Sequence, residues 1–208
     1  MRPAANDSYR ASFISSANSF VKLVSQIPAD KWQVPALGVW KVKDLVGHAS
    51  RALLTIDNYL GKQSGGPKID DTVAYFIAVR NSGADPDEIA RRGIEAGKAL
   101  GSDPASYVKE LADQTLALVS SSKDDTSVGT PWGTMTLADY IPTRTFELTV
   151  HSLDLAATLS LPYPEQMGPS IANACELAGR LAGRHPRAIE ILFALTGRSE
   201  MARDISVL

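Results

Sequence analysis

Apolar residues recur at three- and four-residue steps through most of the chain, a spacing that predicts amphipathic helices. Phe13, Ala17, Phe20, Val21, Val24 and Ile27 make one stripe over residues 8–27, and Pro28 ends it. Val42, Leu45, Ala49, Ala52, Leu53, Ile56 and Leu60 make a second, starting near Val42 with Asp44 in its first turn. Gly65-Gly66-Pro67 marks a turn before a third helix at about 72–81. Asp85-Pro86 and Asp103-Pro104 each read as an N-cap followed by proline at the first helical position, opening helices toward Leu100 and Ser121. The polar stretch from Ser120 to Gly133 has no helical period and predicts a long loop with one short strand around Trp132. Thr136 and Asp139 form a capping box that opens a long helix over 137–159, stopped by Pro162 and Pro164. Helices at about 165–184 and 187–196 follow, and the β-branched ending Ile205-Ser206-Val207-Leu208 predicts a short tail strand.

This pattern gives a mainly α fold: an antiparallel four-helix bundle over residues 1–160, and a short helical extension over 161–208 packed on it. An apolar content of 44% is ample for one continuous core. The formal charge of −2, without a Lys/Arg-dense run, excludes a surface built for phosphate backbones, so nucleic acid is not an expected partner. MRPAANDSYR lacks the apolar core of an export signal and no long uncharged apolar run follows; the expectation is a cytoplasmic protein without a membrane anchor. The single cysteine, Cys175, has Ala172, Leu177 and Ala178 as neighbours and reads as buried and inert.

The chemistry concentrates on the long helix. Glu147 and His151 stand four apart, one turn from each other on the same face. At about 100° per residue, both flank the stripe of Leu137, Ile141, Leu148, Leu155 and Leu159 instead of pointing away from it. His48 flanks the stripe of the second helix in the same way. Two neutral imidazoles and a carboxylate suit zinc and leave a fourth position open for water, thiolate or substrate. Spacing alone also allows a plainer reading, since a histidine beside an apolar face is more often hydrogen-bonded within a core, and Glu147 has Arg144 within reach. Arg144 is a candidate catalytic cation that steadies an anion, or else a salt-bridge partner of Glu147 or Asp154. Asp154, one turn beyond His151, is either an acceptor that orients that imidazole or part of a solvated helix face. Trp132 and Tyr140 are candidate pocket walls or core aromatics, and His185, before Pro186, reads as a capping or surface residue.

Three segments carry a resemblance: W-K-V-K-D-L-V-G-H from Trp40 to His48, T-P-W-G-T-M from Thr130 to Met135, and R-T-F-E-L-T-V-H-S-L-D-L from Arg144 to Leu155. In order and spacing they resemble the mycothiol-dependent maleylpyruvate isomerase N-terminal domain family, a branch of the DinB-like metal-binding superfamily. The ending A-L-T-G-R with I-S-V-L is similar to actinobacterial members. The resemblance implies a DinB-like bundle with a divalent metal, zinc by its ligands, held by His48, Glu147 and His151. It also implies mycothiol as a low-molecular-weight thiol cosubstrate, activated for addition to a small-molecule electrophile in a transferase or isomerase reaction. The isomerase itself carries a larger C-terminal domain, whereas only residues 161–208 follow the bundle here, so maleylpyruvate is not assigned as substrate. A metal-activated hydrolase and a non-catalytic metal or small-ligand binding protein are the alternatives; the hydrolase lacks a general base, the only glutamate of the long helix being a proposed ligand. A homodimer is left open.

Overall fold

A computed structural model describes residues 5–83, 85–202 and 204–207. Eight α-helices are formed among them: α1 (Ala5–Ser25), α2 (Val42–Tyr59), α3 (Thr72–Asn81), α4 (Pro86–Ala99), α5 (Pro104–Ser121), α6 (Leu137–Leu159), α7 (Gly168–Ala182) and α8 (Ala188–Leu195). The caps read from sequence at Asp85, Asp103 and Thr136 are in place, and Asp71 adds one that sequence did not signal. Asp71, Asp85, Asp103 and Thr136 each accept a hydrogen bond from a backbone N–H of the first turn that follows.

Helices α1, α2, α5 and α6 surround the core, each packed against two of the others. Their apolar stripes meet in it, with Phe13, Phe20, Leu45, Leu53, Ile56, Leu137, Ile141, Leu148 and Leu155 fully buried. Cross-contacts fix the directions. Early in α1, Arg10 donates to the carbonyls of Val119 and Ser122 at the end of α5. Thr55, late in α2, accepts from Tyr140 early in α6, whereas His48 near the start of α2 faces His151 far along α6. Both pairs are therefore antiparallel. A buried bond between Ser16 and Thr149 joins α1 to α6.

Between α5 and α6, Ser127–Thr130 (β1) and Gly133–Thr136 (β2) pair antiparallel, so the expected single strand around Trp132 is a two-stranded hairpin with Trp132 in its turn. Gly133 makes this turn possible with φ +147, and a side chain there would also meet Ile69. Leu60 bridges to Val128, tying the end of α2 to the hairpin.

Two further sequence expectations fail. Ile205–Val207 form no strand, the Ile205 N–H instead closing a turn onto the Ala202 carbonyl; Leu208 lies outside the described residues. Cys175 is exposed, because α7 turns Ser170, Leu177 and Leu181 inward and leaves the cysteine on the outer face. His185, read from sequence as a capping or surface residue, accepts at Nδ1 from the Arg187 N–H just before α8. No helix among the described residues is long and apolar enough to cross a membrane.

Candidate metal centre

The site lies between α2 and α6 and begins with the placement of Trp40. A tight turn, in which Trp40 N–H donates to Leu37 and Ala36 N–H donates to Trp40, leads into α2, whose first turn is closed by Asp44 accepting from Lys41 N–H. The Trp40 indole donates to the Ala90 carbonyl at 2.9 Å and lies 4.4 Å, ring to ring, from His48. Helix α4 can come this close because it is notched by glycines: a Cβ at Gly93 would strike the Trp40 ring, and one at Gly97 would lie 2.6 Å from Asp44 Oδ1. Gly47, beside His48, faces the backbone of Ala96 and Gly97, where any side chain would collide. Trp40 and the Gly-x-x-x-Gly notch thus wall His48 from outside the bundle.

His48, Glu147 and His151 each present a ligand atom, and these atoms all lie within 4.8 Å of one another. The three sequence candidates are therefore brought together. The imidazoles of His48 and His151 meet edge to face at 4.8 Å, and His151 Nε2 stands 3.4 Å from Glu147 Oε2. On the other side of the ring, His151 Nδ1 bonds Asp154 Oδ2 at 3.0 Å, the orienting contact anticipated for Asp154. His48 differs: its Nδ1 is buried with no hydrogen-bond partner. A buried polar atom without a partner is costly in a core, and a metal-ligand role for the imidazole accounts for keeping it there. Two imidazoles, one of them bearing this unsatisfied nitrogen, and one carboxylate fit a divalent metal ion.

The electrostatics follow from these contacts. Burial pushes His48 down, and the charge on His151 adds to this, giving about 4; the ring is neutral at pH 7. Burial also works against charge on His151, but its bonds to Asp154 and Glu147 prevail and carry it up to about 9. For Glu147 burial favours the protonated acid, yet the bond from His151 and the Arg144 charge hold it down to about 2. The protonated His151 ring thus has a carboxylate on each side, Glu147 at Nε2 and Asp154 at Nδ1.

One turn before Glu147, Arg144 is only 8% exposed. The salt bridge to Glu147 or Asp154 considered from sequence does not form. Its Nε donates to Thr143 Oγ1 at 2.8 Å and Nη2 to the Tyr75 hydroxyl at 3.3 Å, while the guanidinium lies over the rings of Tyr140 (4.9 Å) and Tyr75 (5.5 Å). Tyr140 is fully buried, with its hydroxyl donating to Thr55; it is the floor under Arg144. Half-buried Trp132 meets Tyr75 edge-on at 5.5 Å, so the hairpin turn reaches the site through that ring. Sequence periodicity missed Tyr75 and the notch on α4. Tyr75 belongs to a short helix with no clear stripe; the Gly93/Gly97 spacing was the one available signal for the notch.

A family model described as the mycothiol maleylpyruvate isomerase N-terminal domain matches residues 15–156, well over half of the chain and inclusive of all three ligand candidates. Neither the curated proteins nor the solved structures provide a match. The matched span runs from α1 through most of α6, the four bundle helices and the hairpin together, and the chain belongs to the mycothiol maleylpyruvate isomerase N-terminal domain family.

Proposed function

We propose that this protein is a metal-dependent enzyme that joins a low-molecular-weight thiol, mycothiol in the first instance, to a small electrophile, as a transferase or isomerase of the cytoplasm. The observation that carries the reading is the convergence of His48, Glu147 and His151 within 4.8 Å, with a buried His48 nitrogen otherwise unsatisfied. Membership of a mycothiol-related family supports the thiol.

In this reading His48, Glu147 and His151 are the ligands of a divalent cation, with zinc favoured by the N₂O donor set and one position left for an exogenous ligand. A bound zinc supplies a positive centre that lowers the pKa of a thiol, so that sulfur is available as thiolate at neutral pH. The protein's own residues do the rest. Asp154 holds the His151 ring by Nδ1 and so presents Nε2 toward Glu147 and His48. Trp40 and the α4 notch keep water from the outer face of His48. Arg144 has its charge spread over two tyrosine faces and no carboxylate paired to it among the described residues, leaving it available to steady an anionic substrate group or the charge that develops as sulfur adds.

The test is cobalt substitution followed by titration with mycothiol or a simpler thiol. Direct ligation gives a sulfur-to-cobalt charge-transfer band in the near ultraviolet that saturates with thiol and is absent in His151→Ala. A cobalt spectrum unmoved at saturating thiol would refute the thiol-transfer reading.

A further inference from the structure

A recess opens on the face of α2 that packs against α4. It is a cavity of about 230 Å³ between α2, α4 and α5, with apolar walls from Leu54, Leu100 and Leu111. Five hydrogen-bonding side chains line it, Ser50 and Arg51 from α2, Arg92 and Glu95 from α4 and Tyr107 from α5, and the Ser50 hydroxyl already donates to the Val46 carbonyl. Both arginines are half-buried, and neither has an ion-pair or hydrogen-bond partner among the described residues; the Tyr107 hydroxyl has none either. The acid lining the cavity, Glu95, is already engaged by Arg91 at 2.6 Å. A larger cavity of about 380 Å³ elsewhere is different in this respect: its Arg180 is paired with Asp71 and its Asn173 donates to Ser12.

Two guanidiniums lining one small space repel each other and have shed part of their hydration without a protein acceptor in exchange. An anion shared between them relieves both costs at once, and charge-assisted bonds to a carboxylate or phosphate are the strongest that arginine makes. The leucine walls call for a hydrocarbon body beside the charge, and a volume below that of drug-sized pockets calls for a short one.

We propose that this cavity binds a small organic anion, a carboxylate or phosphate ester, gripped by Arg51 and Arg92 with its apolar part against Leu54, Leu100 and Leu111. Gly47, the residue before His48, also lines the cavity, and Arg51 is one turn beyond His48, so the anion would lie directly behind the candidate metal ligand of α2. The proposal concerns binding and does not depend on a metal or on thiol transfer.

The experiment is a titration of metal-free protein with succinate, with propyl phosphate and with neutral dimethyl succinate, following backbone amide signals by NMR at constant ionic strength. Saturable shifts centred on Gly47 and Ala99 are expected with the anions and none with the diester; the tighter of the two anions identifies the headgroup class. Arg51→Gln and Arg92→Gln each weaken binding by about tenfold or more, the loss expected for a charge-assisted bond. Ala96→Leu, which fills the cavity and keeps both charges, blocks it, whereas His185→Ala, before α8 and outside the cavity lining, leaves it unchanged. Absence of saturable shifts, binding retained in both arginine variants, or shifts centred on Arg180 would each overturn the proposal.

Discussion

His151→Ala is expected to lower zinc affinity by roughly two to three orders of magnitude, the share one ligand takes of a total binding free energy of about 10 kcal/mol or more. His48→Ala and Glu147→Ala should do the same, since each removes one of three protein ligands. Asp154→Asn is the graded control. It keeps all three ligands but weakens the acceptor that orients His151 at 3.0 Å, so affinity should fall by only about ten- to a hundredfold. His185→Ala, at the start of α8, should change nothing. Competition against a chromophoric chelator measures the whole series; equal affinities across it would remove the triad as the binding site. In the metal-free protein His151→Ala also strips the cation from between Glu147 and Asp154, so that variant should unfold at lower temperature than wild type near pH 7 even without zinc.

Zinc binding at pH 7 should release close to one proton per ion, and that proton should come from His151. Metal ligation needs neutral imidazoles. His48, at about 4, is already neutral, whereas His151, at about 9, is charged. Affinity should therefore rise by about tenfold per pH unit between pH 7 and 8 and level off above about 9. Titration calorimetry in buffers of different ionisation enthalpy counts the proton directly; a count near zero would mean that His151 is not a ligand. Histidines of ordinary pKa would confine the dependence to below about 6.5, and the line Asp154–His151–Glu147 is what moves it upward. The stability of the metal-free protein follows the same groups with separate signs. His151 gains charge on folding, so its contribution is full below 6.5 and is lost as pH rises through about 9. Glu147 contributes above 4.5 and loses this as pH falls through about 2. His48, folded as the neutral ring, contributes above 6.5 and loses this as pH falls toward about 4.

Much of this molecule was legible before its structure because its helices carry their own punctuation. Asp85-Pro86, Asp103-Pro104 and Thr136-x-x-Asp139 are local signals, and the helices start where they say. The pair Glu147 and His151 was legible for a related reason, since both lie on one helix and chelate spacing is a property of the helix itself, whereas His48 on α2 joined them through the resemblance of its segment. What escaped is what depends on distant packing. Arg144 had acids within reach on its own helix, yet it turns to Tyr75, 69 residues away in sequence, whose contact no periodicity encodes. Cys175 sits in a helix whose small residues run all round it, so composition could not tell inner from outer face. The hairpin was underestimated because each strand is only four residues long and has Gly or Pro close by; Leu60 and Lys68, from outside the segment, bridge to it. The glycines of α4 acquire meaning only once Trp40 and Asp44 are seen against them.

Anomalous diffraction at the zinc edge, from crystals of the zinc-loaded protein, tests the central claim most directly. One strong peak is expected, bounded by His48, Glu147 and His151, with ligand nitrogens and oxygen at about 2.0–2.2 Å and the His151–Asp154 bond retained. A peak bound elsewhere, with His151 still bridging Glu147 and Asp154, would contradict it.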